Sequence, residues 1–248
     1  MIFLSVIIPC YNELENLKRG VLAEVTSYLS RQNFDWEIVI SDDGSSDGSF
    51  ELVEKYIKGK KHFVHLRNPK GGKAFALRAG INKAKGKYVL FTDMDQSTPI
   101  DEFEKFKEGI EHGYEIVIGS RGFKRENYPF VRKIASPIFL LIRRALVLSS
   151  IHDTQCGFKC FRTDVVKKVF SKLEVFRRQR GSGWRVGAWD VELLFVAQRM
   201  NFKIKEITVE WRNIDSSTSK QRKFVQESVE MLREIIRVRK NEILGIYD

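Results

Sequence analysis

Two carboxylates one residue apart, Asp93 and Asp95, follow a short apolar run, Tyr88-Val89-Leu90-Phe91-Thr92. The run reads as a buried strand, with the acidic pair at its carboxyl end. Like charges this close are costly unless a cation or strong donors lie between them. The pair therefore suits a divalent cation, Mg2+ or Mn2+, held by hard oxygen ligands and able to grip a diphosphate. The competing reading is an acidic turn that caps the next helix, since Thr98-Pro99 followed by Asp101 and Glu102 makes a good helix start. Lys73, after Gly71-Gly72, is a further cationic contact for a diphosphate, or an exposed lysine beside a tight glycine turn.

The surrounding elements bear on that choice. Apolar runs at 3–9, 36–41, 63–66, 87–92 and 115–121 read as strands. Helical patterns run between them at 14–29, from 49, at 74–85 and at 100–112. This alternation predicts an α/β chain, with a mainly parallel central sheet and helices on both faces. Ligands of such sheets bind beyond the carboxyl ends of the strands. Tyr11-Asn12-Glu13, Asp42-Asp43, Lys73, Asp93-Asp95 and Ser120-Arg121 all fall at that end, which favours one composite site over five separate turns.

The second half is less regular. Residues 129–150 read as a long, partly apolar helix, and 153–161 as a loop entering a strand. The stretch 177–185 is basic and holds Gly181-Ser182-Gly183; it reads as a mobile loop, either a lid over a diphosphate or an ordinary surface loop. A helix is expected at 189–200 and a last strand at 202–211. The final helix, 221–239, carries Phe224, Ser228, Met231, Ile235 and Val238 on one stripe. Arg222, Lys223, Arg233, Arg237, Arg239 and Lys240 form its basic face.

At 248 residues the chain is read as one domain. Its 43 basic and 32 acidic residues give +11, which points to an anionic partner. Nucleic acid fits poorly, because the acidic turns at the binding edge would repel a phosphate backbone. The spacing of Cys156 and Cys160 matches no common zinc pattern, so with Cys10 they are expected to be reduced and incidental, in a cytosolic compartment. No signal peptide is read at Met1, and no apolar run reaches the roughly 18 residues that span a bilayer.

The residues Ser5-Val6-Ile7-Ile8-Pro9 with Tyr11-Asn12-Glu13, then Asp42-Asp43-Gly44-Ser45-Ser46-Asp47, Gly72-Lys73, Asp93-x-Asp95 and Gly119-Ser120-Arg121, resemble glycosyltransferase family 2 with its GT-A fold. Within it, Asp153-Thr154-Gln155-Cys156-Gly157-Phe158-Lys159 and Asp190-Val191-Glu192-Leu193-Leu194 are similar to the dolichyl-phosphate sugar synthases, glucosyl- and mannosyl-transferring alike. The resemblance implies inverting, metal-dependent transfer of a hexose from UDP-glucose or GDP-mannose to a polyprenyl phosphate. Residues 1–122 would form the nucleotide-sugar half and 123–248 the acceptor half. Pro9, Tyr11, Asn12, Glu13 and Asp42 or Asp43 would hold the nucleoside. Lys73 and Asp93-Met94-Asp95 would hold the diphosphate, with Ser97 as a third metal contact. Arg121, Arg132 and Ser136, with Arg212 and Lys220, would bind the acceptor phosphate. The Asp-x-Asp stretch continues Gln96-Ser97-Thr98-Pro99, where the mannose synthases read Leu-Gln-x-Pro-Pro.

A phosphate acceptor is already anionic near neutral pH, because its second pKa is about 6. It needs cations to place it more than a general base. Asp190 is the base if one is required; alternatively Asp190 or Glu192 binds sugar hydroxyls, or both merely suit a helix N-terminus. An acceptor hydroxyl of a saccharide or diacylglycerol, the other reading within the family, would demand a working base. A lipid acceptor implies contact with a membrane surface, either peripherally at its cytoplasmic face or through a separate membrane subunit.

Overall fold

The computed structural model describes residues 1–122, 147–148, 150–177, 189–212 and 224–247, the side chains of 224–230 excepted. Among the described residues there are seven strands: β1 (Leu4–Cys10), β2 (Trp36–Asp42), β3 (Phe63–Arg67), β4 (Tyr88–Phe91), β5 (Ile116–Ser120), β6 (Lys159–Arg162) and β7 (Ile204–Thr208). They form one sheet in the order β3-β2-β1-β4-β6-β5-β7. Strand β1 pairs in parallel with β2 and β4, β2 with β3, and β5 with β7. Strand β6 runs antiparallel, between β4 and β5. The sheet is thus mainly parallel, as its alternating elements predict.

Strands β2, β4 and β5 are buried along their whole length, which is why they read as continuous apolar runs. Successive side chains point to opposite faces. Leu4, Val6 and Ile8 join one core with Val21, Val25, Phe103 and Phe106. Ile7 joins the other with Ala74, Leu77 and Ile81. Each such side chain contributes about 1.5–3 kcal/mol over leaving it in water. The helices covering these faces are α1 (Leu14–Lys18), α2 (Val21–Ser30), α3 (Ser49–Ile57), α4 (Lys73–Lys83), α5 (Phe103–Glu111), α6 (Thr163–Lys172), α7 (Trp189–Arg199) and α8 (Phe224–Ile243). Helix α4 approaches β1 closely: a Cβ on Gly80 would lie 2.5 Å from Ile7 Cγ2.

Several expectations need correction. The helix at 14–29 is two helices, broken at Gly20, whose φ of +92° no right-handed helix contains. A 3-10 turn, Ile100–Glu102, precedes α5 after Pro99. Helix α6 was not anticipated, and α8 continues to Ile243 instead of stopping at 239. The readings at 129–146 and 178–185, with Arg222 and Lys223, lie outside the described residues.

Of the stripe of α8, the described side chains pack onto the core, with Ile235 and Val238 fully buried and Met231 against them. Arg237, expected on the exposed basic face, lies instead on the core side, one turn from buried Asn241. It pairs with Glu174 at 2.7 Å, with Glu192 at 3.3 Å and with Glu234. Arg233, Arg239 and Lys240 are exposed as expected.

Candidate active site

Strand order reverses between β1 and β4, since the chain extends the sheet from β1 through β2 and β3 before crossing back to β4. Such a switch point opens a crevice at the carboxyl ends. Tyr11 follows β1, Asp42 ends β2, Lys73 follows β3, Asp93 follows β4 and Arg121 follows β5. The five polar clusters therefore share one edge of the sheet. A cleft of about 200 Å³ opens there, lined by Asp93, Asp95, Ser97, Arg121, Gly157 and Trp211 among others.

The Asp-x-Asp turn is tightly wound. Gln96 takes a left-handed φ of +50°. Its Nε2 donates to Thr92 Oγ1 at 3.0 Å and to the Asp93 carbonyl at 2.8 Å. The Ser97 N–H donates to Asp95 Oδ1 at 2.8 Å, and Arg19 Nη2 to the Asp95 carbonyl at 2.5 Å. Ser97, expected as a third metal contact, lines the cleft and also fixes Asp95 through its backbone. Met94 was expected at the donor, but its side chain is a core residue with 1% exposure. Any donor contact at this position falls to its backbone, because alternate positions of the turn point to opposite sides.

Lys73 Nζ meets Asp93 Oδ1 at 2.5 Å. Asp43 positions this lysine: its two carboxylate oxygens each accept at 2.8 Å, from the Gly71 and Gly72 N–H groups. Burial pushes the Asp43 carboxyl up from its ordinary value, against the pull of those two donors. The clamp starts α4 at Lys73. A cation in a helix's first turn opposes the macrodipole. The fields of Asp93, Asp190 and Asp95 nevertheless hold the ammonium above its ordinary pKa.

On the other side, the Tyr11–Glu13 and Asp42–Ser49 stretches form one interlocked unit. Asn12 Oδ1 accepts from the Ser46 N–H at 2.9 Å, and the Glu13 N–H donates to Ser49 Oγ at 2.8 Å. Glu13 is buried and takes the Asn16 amide at 2.6 Å. Lys70 reaches the Tyr11 hydroxyl and lies 4.3 Å over its ring. Asp42 Oδ1 accepts from the Gly44 and Ser45 N–H groups at 3.0 Å, while its buried Oδ2 has no protein partner. Pro9 is half-buried at the same end of β1. Asp43 has a turn to hold, so Asp42 keeps the open acceptor of the two.

The expected acceptor residues are only partly gathered. Arg121 grips Asp153 with its fork at 2.7 and 2.9 Å, and its N–H donates there at 3.1 Å. Arg212 donates its N–H to the Ser97 carbonyl at 2.7 Å, which carries Trp211 into the cleft 5.8 Å from Arg121. The Arg212 side chain itself is exposed and pairs with Glu210. Arg132, Ser136 and Lys220 lie outside the described residues.

Asp190, the base if one is required, is held by a buried cation. It accepts from Lys159 Nζ at 2.9 Å, a cation whose side chain is 1% exposed. Lys159 also caps the Cys156 carbonyl. This ion pair ties α7 to β6. Glu192 is no sugar contact. It is fully buried, accepts from the Glu174 N–H at 2.7 Å and the Tyr247 hydroxyl at 3.0 Å, and joins α7 to α8 through Arg237. Gly157 adds a steric constraint, since a Cβ there would fall 2.1 Å from Asp93 Oδ2. Asp153, Gly157, Lys159 and Trp211 carry no individual role in the sequence, although the first three lie inside the 153–159 motif. The cysteines are free and buried, as expected.

The donor set can be tested against a divalent cation. Asp93 and Asp95 supply hard carboxylate oxygens with the Ser97 hydroxyl beside them. Among the described residues no group of three His, Cys, Asp or Glu side chains converges. This fits a cation completed by substrate phosphate oxygens and water, the usual Mg2+ arrangement, and does not fit an all-protein cage.

Comparison with known proteins decides the family. The Glycosyl transferase family 2 model matches residues 5–170. The chain belongs to that family. Relatives include a dolichyl-phosphate beta-glucosyltransferase of Dictyostelium discoideum, 35% identical across 99% of this chain and 76% of its own. The human protein of that name is 33% identical over 86% and 68%. This family 2 glycosyltransferase superposes on mannosyl-3-phosphoglycerate synthase from Rubrobacter xylanophilus with a TM-score of 0.64, at 14% identity, over 97% of this chain and 75% of the other. Glucosyl-3-phosphoglycerate synthase from Mycobacterium tuberculosis, crystallised with UDP, gives 0.62 at 17% identity over 96% and 80%. At such identities these likenesses establish the fold, which is the GT-A arrangement.

Proposed function

We propose that this enzyme transfers glucose from a nucleotide sugar, UDP-glucose in the first place, to a polyprenyl phosphate of the dolichyl type, with inversion. The observation that carries the reading is a composite cleft lined by Asp93, Asp95 and Arg121, with Lys73 paired to Asp93 beside it, on a chain whose relatives are dolichyl-phosphate beta-glucosyltransferases over nearly its full length. A β-linked product from an α-linked nucleotide sugar requires a single in-line displacement. An acceptor phosphate oxygen attacks the anomeric carbon, and the bond from that carbon to the diphosphate breaks.

Asp93 and Asp95, with Ser97, would hold Mg2+ or Mn2+. When bound, the ion supplies positive charge against the leaving diphosphate. Lys73 adds a cation on the same side, and the Asp42 and Tyr11 unit bounds the nucleoside end. Arg121, fixed by Asp153, presents a rigid positive edge toward the acceptor phosphate, with Arg212 near the mouth; Arg132, Ser136 and Lys220 are the further acceptor contacts of this reading. No base is needed for an acceptor that is already anionic. The Lys159 partner of Asp190 argues against a hydroxyl acceptor for the same reason.

The lipid acceptor places the work at a membrane surface. Among the described residues no helix is long and apolar enough to cross a membrane. Peripheral contact is the reading supported by α8, whose outward side carries Ile236 and Ile243, two turns apart, at 54% and 74% exposure. Arg233, Arg239 and Lys240 flank them, and this mixture suits an anionic lipid interface.

The test is a transfer assay with a panel of labelled nucleotide sugars, a short polyprenyl phosphate and Mg2+ or Mn2+. Labelled lipid from UDP-glucose, lost in Asp95→Asn, supports the reading. Labelled lipid from GDP-mannose alone overturns the sugar assignment. Hydrolysis without labelled lipid overturns the acceptor.

A further inference from the structure

Lys73 occupies a position that its own helix resists. It opens α4, where the dipole favours anions, and its ammonium faces the acidic pair across the cleft. Its nearest partner is Asp93, at 2.5 Å. Yet Asp93 is one of the two carboxylates that would carry the divalent cation. One carboxylate cannot keep both partners at full strength, because an ammonium and a divalent ion within a few ångströms repel. The pair is also open, with the lysine and aspartate side chains 40% and 38% exposed, so Lys73 can leave without unfolding its surroundings. Its backbone stays fixed meanwhile, since Asp43 clamps Gly71 and Gly72 just before it.

Resting on the metal-site reading above, we propose that Lys73 is an exchangeable counter-ion. In the donor-free chain it stands in for the divalent cation on Asp93. When metal and nucleotide sugar load together, the ammonium passes to the diphosphate, whose two negative charges match the two positive charges the metal brings. The charge of the cleft is then unchanged by loading. No bond is made or broken in this step; one ion pair replaces another.

The consequence is ordered, cooperative loading. Metal alone binds weakly, because it must displace Lys73 with nothing to receive the ammonium. Nucleoside diphosphate and metal each raise the other's affinity by the same factor, as linkage requires. A family 2 enzyme built this way keeps its acidic pair satisfied between turnovers and closes the site around metal only with a donor present.

Mn2+ binding to the full chain, followed by electron paramagnetic resonance with and without saturating UDP or GDP, tests this without any turnover. For the natural chain, nucleotide should tighten Mn2+ binding by about tenfold or more. In Lys73→Gln, Mn2+ alone should bind about tenfold more tightly than in the natural chain, nucleotide should bind more weakly, and their mutual effect should shrink. Lys73→Arg, which keeps the charge, should retain the coupling. Nucleotide-independent Mn2+ affinity in the natural chain would overturn the inference, and this measurement needs no variant to fold. Equal Mn2+ affinity in Lys73→Gln and the natural chain would also overturn it, while leaving the metal site intact. Absence of Mn2+ binding in both proteins, with nucleotide present, would overturn the metal-site reading and this inference together.

Discussion

Asp93 is the residue on which most of the cleft's geometry bears. Lys73 pairs with it, Gln96 ties its carbonyl, and Gly157 stands so close that a single added carbon would meet its carboxylate at 2.1 Å. Gly157→Ala must therefore push the Asp93 side chain aside, while the sheet beneath is untouched. Misplacing a catalytic group by about an ångström can cost about a hundredfold in rate. We expect transfer by Gly157→Ala to fall by about that factor, with a melting temperature close to that of the natural chain. Unchanged turnover would mean that Asp93 has no demanding task. The glycine's importance is invisible to spacing arguments, because Asp93 and Gly157 are 64 positions apart and meet only through the antiparallel pairing of β4 and β6.

At the scale of elements, α4 shows how packing sets chemistry. Its first residue is Lys73, and Gly80, about two turns on, lets it lie against β1 with no room for a methyl group beside Ile7. Gly80→Ala gains helix propensity of at most about 1 kcal/mol, but overpacking costs about 1–3 kcal/mol. Overpacking should win, lowering the melting temperature by about 2–6 °C in calorimetry. A rise would show that α4 can retreat freely, and with it Lys73. The parallel core was legible in the sequence because buried strands such as 36–41 and 87–92 are continuous apolar runs. Their carboxyl ends could be named for the same reason, and with them Tyr11, Asp42, Lys73, Asp93 and Arg121. What stayed hidden depends on distant partners. The Lys159 partner of Asp190 is 31 positions away, and Arg237 looks solvated until Glu174 and Glu192 surround it. The Gly20 break was readable in principle, since a glycine interrupts the 14–29 pattern, but the apolar spacing on either side masked it.

The whole molecule carries +11. Around the outward side of α8, Glu234 and Glu242 are turned into pairs with Arg237 and Arg239, which leaves Ile236, Ile243 and Leu244 among cations. Sedimentation with phosphatidylserine vesicles should bring down the protein at low salt, and progressively less as salt screens the contact. Neutral vesicles should retain far less. Ile236→Glu with Ile243→Glu should reduce the bound fraction by about tenfold or more, given the burial value of two isoleucines and the added negative charge. Equal binding to neutral vesicles, or no effect of the double change, would remove this face from the membrane account.

The claim that joins these scales is that the cleft glycosylates a phosphate that needs positioning and no base. It is tested most directly by offering UDP-glucose with a polyprenyl phosphate or with the matching polyprenyl alcohol, and weighing the labelled lipid formed. The account predicts a β-linked glucosyl phosphate lipid from the first, falling at least about a hundredfold in Asp95→Asn, and none from the alcohol. Glucosylation of the alcohol, or product with retained configuration, would contradict it.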